Sequence, residues 1–204
     1  MSVAIIRRIA ASEIGDACEL LGLAFADNPS TLMNVRGDRA KAQEMMRRAV
    51  CAFKLGTRYG DVLVAEDRGD IVGVLNATPW PHCQLTTAEK LKSLPKSVRA
   101  MGRALPRVIK MTTARAKYDP HEPHWHIGLV GVHPQRQGNG IGTALLGTFL
   151  DEADQQALPA FLETDVDQNV ALYQQLGFVV VATEQIMGIN TRFMTRAARP
   201  TPPS

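Results

Sequence analysis

Residues 124–153, HWHIGLVGVHPQRQGNGIGTALLGTFLDEA, restrict the fold of this chain more than any other stretch. An apolar run is followed by a loop with glycines at 138, 140 and 142, and then by apolar positions at helical spacing. The run from His124 to Val132 is apolar nearly throughout, so it is predicted to be a central strand, covered on both faces. A loop of this kind at a helix N-terminus favours an anion. Glycines let the backbone come close, and the unpaired N–H groups carry the positive end of the helix dipole. The spacing decides which anion it is not. A dinucleotide fingerprint needs G-x-G-x-x-G, but here the third glycine comes one residue early. A Walker loop needs Gly-Lys-Ser/Thr, and Gly142-Thr143 has no lysine.

The rest of the chain supplies elements for one mixed α/β domain over residues 1–198. VAIIRRIA reads as a first strand rather than a signal peptide, having no charged leader. A helix follows with Ser12 as N-cap and Asn28-Pro29 as its stop. A second helix is capped by Asp38 and ended by Gly56. DVLVAEDRGDIVGVLNAT is a hairpin turning at Arg68-Gly69-Asp70. PAFLETD is a strand, NVALYQQLG a short helix, and FVVVATEQI with TRFMTRA a final hairpin. Residues 199–204, RPTPPS, are expected to form a disordered tail.

Between the hairpin and the central strand lies a helical insert, residues 86–117. It holds nine Lys/Arg and one acidic residue, and the rest of the chain has 14 basic against 19 acidic. Leu91, Leu94, Val98, Met101, Leu105 and Val108 mark a face expected to be buried, and Lys92, Lys96, Arg99, Arg103, Arg107 and Lys110 a basic one. Pro95 and Pro106 divide or kink these helices. The basic stripe reads either as the wet face of a lid or as an attractor for phosphates or an acidic acceptor. Nucleic-acid binding is not expected, since the body is acidic and aromatic residues are only 5%. No apolar stretch is long enough for a bilayer. Cys18, Cys51 and Cys83 form neither a disulfide framework nor a zinc pattern, so three reduced thiols in a cytoplasmic protein, and no metal, are expected.

Two signatures give the chain a family likeness. Gln137-x-x-Gly140-x-Gly142 resembles the pyrophosphate loop of the GNAT superfamily of acyl-coenzyme-A-dependent N-acetyltransferases. NVALYQQLGF, Asn169 to Phe178, resembles that superfamily's N-x-x-x-Y-x-x-x-G-F helix. Within it, PAFLETD, VGVHPQRQGNGIG, AFADNP and RFMTR are similar to the puromycin N-acetyltransferase branch. That similarity is densest from about 122 to 196 and weakens over 79–120. The resemblance implies a mostly antiparallel twisted sheet of six to seven strands, splayed between the fourth and fifth, with helices on both faces and the insert before the fourth strand. It implies acetyl-CoA as cosubstrate and a primary amine of a small molecule as acceptor. Protein lysines or N-termini are the alternative acceptors, and a non-catalytic acyl-CoA-binding module is the alternative of another class. A monomer or homodimer is expected, with no membrane partner.

The residues that would carry this follow from the motifs. Leu129, Val130, Gly131 and Val132 would line the pantetheine arm. Gln137, Gly138, Asn139, Gly140, Ile141, Gly142 and Thr143 would cradle the pyrophosphate, and Asn169 would contact the cofactor arm. Tyr173, one turn from Asn169, is the candidate acid for the leaving thiolate. Phenol and thiol have ordinary pKa values of roughly 10 and 8.5, so the transfer needs little tuning. The base is left between His126, expected to share a strand face with Gly128, Val130 and Val132, and Glu163, with a water chain equally compatible. Phe25, Trp80 and His124 are candidate acceptor contacts.

Overall fold

The computed structural model describes residues 4–56 and 58–200. Seven strands form one sheet: β1 (Ile5–Arg8), β2 (Asp61–Asp67), β3 (Asp70–Pro79), β4 (Trp125–Val132), β5 (Ala160–Thr164), β6 (Val179–Ile186) and β7 (Ile189–Arg196), in the order β1-β2-β3-β4-β5-β7-β6. All neighbours are antiparallel except β4 and β5, which run parallel. The helices are α1 (Ile14–Ala24), α2 (Pro29–Asn34), α3 (Arg39–Ala52), α4 (Thr87–Met101), α5 (Leu105–Arg115), α6 (Ile141–Gln155) and α7 (Asp167–Gln175).

One face of the sheet is closed by α6 and α7. Leu145, Leu146, Phe149 and Leu150 pack there with Leu75, Ile127 and Leu162. The other face is closed by α1 and α3 over β2 and β3, through Leu20, Leu21, Val50, Val64 and Val74. Farther along that second side, Met111 of α5 packs with Phe161, Ile186 and Phe193. Burial of these side chains is worth roughly 1.5–3 kcal/mol each, which fixes the layers before any polar contact contributes.

Local chemistry differs from the sequence expectations at four places. Asn28 does not merely stop α1: its Oδ1 accepts from Ser30 and Thr31 N–H and starts α2, with Pro29 in the first turn. Ser12 is not a cap. It lies in a 3-10 turn, and the Glu13 carboxylate accepts from Ala10 N–H at 2.8 Å. Cys18 of α1 and Cys51 of α3 are joined as a disulfide with Cα atoms 5.6 Å apart, because the two helices pack with these positions facing. That corrects the expectation of three free thiols; Cys83 alone is free. In the insert, Leu91, Leu94 and Val98 are 72%, 42% and 52% exposed, while Ala100, Ala104, Leu105 and Met111 are the buried positions. The apolar stripe of α4 therefore faces outward and the helix meets α3 through its other side. Pro95 sits inside α4 without ending it, and Pro106 lies in the first turn of α5. Asp38 caps α3 through Lys41 N–H at 3.0 Å as expected. Of the expected tail, residues 201–204 lie outside the described residues, and Arg199 is held by its N–H on Asp154 at 2.8 Å.

Two irregularities shape the centre. The β4–β5 pairing covers only Trp125 with Ala160 and His126 with Phe161, after which the strands diverge. Against β3, Asn76 pairs with Leu129 and Ala77 with Ile127, so Gly128 is an extra, bulged residue. The bulge exchanges the faces of β4. Trp125 and Ile127 point to the α6 side, but beyond Gly128 it is Val130 and Val132 that do so, while Leu129 joins the α1 side. His126 therefore does not share a face with Val130 and Val132. Strict alternation fails there because one inserted residue shifts the period-2 register.

Candidate functional site

The divergence of β4 from β5 opens a cleft of about 890 Å³. One end is the glycine loop. Gly138 and Gly140 have φ of +77° and +76°, a conformation that costs other residues but not glycine. Gly140 is the residue before α6, so the free N–H groups of the first helical turn face the cleft mouth with the positive end of the dipole. The loop is braced from within. Gln137 Nε2 donates to Val132 O at 3.2 Å, and Asn139 Nδ2 donates to Arg136 O at 3.0 Å. Arg136, also lining the cleft, is anchored by an ion pair to Asp67 at the end of β2. Backbone N–H groups, a dipole and a fixed guanidinium together suit a polyanion.

The other end lies where the sheet parts. Glu163 comes from the side covered by α5, and Tyr173 from the side covered by α7; both line the cleft. Tyr173 is buried against Phe178, with ring centres 5.9 Å apart. Burial first, and the nearby Glu163 charge second, push its pKa up to about 12, so it keeps its proton at neutral pH. Arg115 of α5 pairs with Asp165 at 2.6 Å and lies 3.7 Å from Glu163; Thr191 Oγ1 donates to the other Asp165 oxygen at 2.7 Å. Met45, Met46, Met101 and Met111 form a pliable apolar wall. The insert is thus one side of this end of the cleft.

Behind Glu163 is a polar cluster. His126 Nε2 meets Glu163 Oε2 at 3.0 Å, and its Nδ1 meets Asp119 Oδ1 at 2.9 Å. His124 Nε2 is 3.3 Å from the same Asp119 oxygen, and Cys83 Sγ is 3.5 Å from Asp119 Oδ2. Burial alone would lower both imidazole pKa values, but the carboxylates outweigh it: His126 is raised well above the usual range and His124 to about 9. Burial would raise Glu163, yet His126 leaves it below its ordinary value.

The sequence-predicted residues separate by place. Leu129, Val130, Gly131, Val132, Gln137, Gly138, Gly140, Ile141, Gly142, Thr143, Glu163, Asn169, Tyr173 and Phe25 line one cleft. Asn139 turns inward to brace the loop. His126 stands behind Glu163 rather than in the lining. His124 is 2% exposed and directed at Asp119, and Trp80 lies on the exposed segment after β3; neither lines the cleft, so neither is retained as an acceptor contact. Gly131 has a packing role as well: a Cβ there would come within 2.7 Å of Leu21 Cδ2.

The model of the acetyltransferase (GNAT) family matches residues 32–178, from within α2 to just beyond α7, and takes in most of the cleft lining. The chain belongs to this family. Among curated proteins it is 34% identical over 84 residues to mycothiol acetyltransferase of Paenarthrobacter aurescens (strain TC1), covering 40% of this chain and 26% of that one. It is 39% identical over 67 residues to the L-amino acid N-acyltransferase MnaT of Escherichia coli (strain K12), covering 31% and 38%. These matches span well under two thirds of either relative. Among solved structures, one described as histone acetyltransferase HPA2 and related acetyltransferase from Corynebacterium glutamicum ATCC 13032 superposes with a TM-score of 0.72 at 23% identity, over 98% of this chain and 99% of that chain. At that identity it is a likeness of fold. No helix among the described residues is long and apolar enough to cross a membrane.

Arg115, Asp165 and Asn34 also line the cleft and were not legible as such from sequence. Asp165 stood beside Glu163 in LETD, but nothing linked it to Arg115, 50 residues away. Asn34, at the end of α2, lines the cleft, and its Oδ1 is buried without a hydrogen-bond partner. Cys83 and Asp119 were equally silent; the only local signal was the His124-x-His126 spacing.

Proposed function

We propose that this protein transfers the acetyl group of acetyl-CoA to a primary amine of a small molecule, by direct attack with both substrates bound. The observation that carries the reading is the parting of β4 and β5 between Glu163 and Tyr173, at the far end of the cleft from the glycine loop. The loop N–H groups and Arg136 would hold the coenzyme A pyrophosphate, with Asn169 along the arm. The unpaired edge of β4 from Gly128 to Val132 would hydrogen-bond the pantetheine amides. Coenzyme A supplies the activated thioester. As the amine nitrogen bonds to the carbonyl carbon and the carbon–sulfur bond breaks, Glu163 takes the amine proton, directly or through water, and the Tyr173 hydroxyl gives one to sulfur. Burial keeps Tyr173 protonated as a donor, but at about 12 its pKa lies above the roughly 8.5 of a thiol, so transfer to the thiolate is uphill in the free enzyme and the expectation of little tuning does not hold there.

A small acceptor is supported by the insert. Residues of α2, α3, α4 and α5 wall the acceptor end, with four methionines for an apolar body and Asn34 and Asp165 as polar neighbours. The name of the Escherichia coli relative refers to L-amino acids, also small amines. The test is thiol release from acetyl-CoA against aminonucleosides, aminoglycosides, amino acids, polyamines and peptides. Release with a small amine is expected. Release with peptides alone would move the acceptor to proteins, and no release with any amine would leave an acyl-CoA-binding module.

A further inference from the structure

We infer that Cys83 Sγ, one Asp119 carboxylate oxygen, His124 Nε2 and His126 Nδ1 form a four-coordinate Zn²⁺ site at the root of the insert. These four ligand atoms lie within 4.8 Å of one another. The separations are 3.8 Å from sulfur to His124 Nε2, and 3.3 and 2.9 Å from Asp119 Oδ1 to the His124 and His126 ring nitrogens; the sulfur is 3.5 Å from the other Asp119 oxygen, Oδ2. Tetrahedral zinc with bonds of about 2.0–2.3 Å requires ligand-to-ligand edges of roughly 3.3–3.8 Å. One thiolate, two imidazoles and one carboxylate suit zinc, and exclude the all-oxygen preference of calcium or magnesium.

The outward ring nitrogens already have the partners that a metal-bound histidine needs. His124 Nδ1 is 2.7 Å from the Glu122 carbonyl, and His126 Nε2 is 3.0 Å from Glu163. The inward nitrogens, His124 Nε2 and His126 Nδ1, both face Asp119 Oδ1. An ion bound there would take the place of the two inward protons and leave the outward N–H groups on their acceptors. A carbonyl and a carboxylate behind ligating histidines are the usual outer supports of a zinc site. Asp119 is fixed in turn by Gln84 Nε2 at 2.7 Å.

The position gives the ion a purpose. The chain leaves the sheet at Pro79 and returns at Trp125. Cys83 lies just after the exit, Asp119 just before the return, and the histidines on or beside β4. None of the four lines the cleft, and all coordination positions are filled by protein, so the site is structural. The ion would clasp both ends of the insert to β4. Through His126 Nε2–H it would also fix Glu163, which makes His126 a positioning residue. The site stands whether or not the acetyl-transfer reading holds, because its test reads metal.

The experiment is metal analysis of the full-length protein, purified without added metal and dialysed against metal-free buffer, with Cys83→Ser and His124→Asn alongside. About one zinc per wild-type chain is expected, with most of it lost in both variants. If the variants fail to fold, cobalt exchanged into the wild type supplies the readout: tetrahedral visible bands and a thiolate-to-cobalt charge-transfer band. Chelation should lower the melting temperature and raise the KM for the acceptor, leaving that for acetyl-CoA unchanged. Folded wild type that carries no zinc and takes up neither Zn²⁺ nor Co²⁺ against a chromophoric chelator overturns the site. So does zinc retained at wild-type stoichiometry by the folded variants.

Discussion

Three glycines occupy the loop that leads into α6, and the structure gives them different reasons to be there. Gly138 and Gly140 have positive φ, and a Cβ at either would meet nothing within 4 Å. Space is free, so the cost of Gly138→Ala or Gly140→Ala is backbone handedness alone, about 1–2 kcal/mol. That cost is met either by strain or by a shift of the N–H groups away from the anion. If it appears fully in binding, the Kd for coenzyme A rises about 5–30-fold, since 1.4 kcal/mol is tenfold. Gly142 is helical, in the first turn of α6, and its added Cβ would touch only Val132 Cγ2 at an ordinary 3.7 Å. Gly142→Ala should bind coenzyme A within about twofold of wild type and stabilise the helix by roughly 0.5–1 kcal/mol. Titration calorimetry with coenzyme A measures all three without knowledge of the acceptor. Equal weakening by Gly142→Ala and Gly140→Ala would refute the argument, because close approach of the ligand, not handedness, would then be the constraint. Wild-type affinity in Gly140→Ala, with the loss of about 1–2 kcal/mol read instead as lower stability, would show that the cost is met by strain and not by displaced N–H groups.

Tyr173→Phe should lower kcat by about 10²-fold or more with an unchanged KM for acetyl-CoA; equal kcat in a steady-state thiol assay would exclude the tyrosine as the acid. Glu163→Gln should lower kcat/KM for the amine by a comparable factor while coenzyme A binding in calorimetry is unaltered. Asp154 accepts from Arg196 at 2.8 and 2.7 Å and from Arg199 N–H at 2.8 Å. The hydrogen bonds from Arg196 hold its carboxyl below the ordinary value. Its stabilisation is therefore present above the unfolded pKa of roughly 4 and lost as pH falls through the lower folded pKa. Asp154→Asn leaves Arg196 buried without its counter-charge and should cost about 3 kcal/mol at pH 7, a melting shift of roughly 6–12 °C, with a smaller difference from wild type in acid; a shift independent of pH would show that packing, not charge, is what Asp154 contributes.

The fold was legible where pattern and period agree. A continuous apolar strand, a glycine loop and an amphipathic helix read as β4 and α6 because burial on both faces, φ-permissive residues and 3.6 spacing are local properties. Asn169 and Tyr173 were legible because residues four apart share one helix face. The insert was misread for a physical reason. Leu91, Leu94 and Val98 have helical spacing, but spacing reports that an apolar face exists, not what covers it. The Cys18–Cys51 pairing and the Cys83–Asp119–His124–His126 cluster were illegible because each joins residues far apart in sequence through helix or loop packing. No periodicity encodes such pairs.

A single inserted residue connects the core to the site. Without Gly128 as a bulge, period-2 alternation along β4 would carry the His126 face onward through Val130 and Val132. Those valines instead belong to the core beneath α6, and the His126 side holds Leu129 and Gly131 against α1. The exchange lets the first half of β4 aim a histidine at Glu163 while the second half keeps Val130 and Val132 in the α6 core and brings Leu129 and a glycine to the α1 side, the glycine against Leu21. Pairing with β5 stops at His126, so the backbone edge left unpaired is the half beyond the bulge. Unpaired strand groups need a partner or water, and this edge runs along the cleft from Glu163 and Tyr173 to the glycine loop. The geometry that frees a backbone edge along the cleft thus also keeps His126 of β4 off that edge, leaving Glu163 and Tyr173 to line the cleft where the strands part.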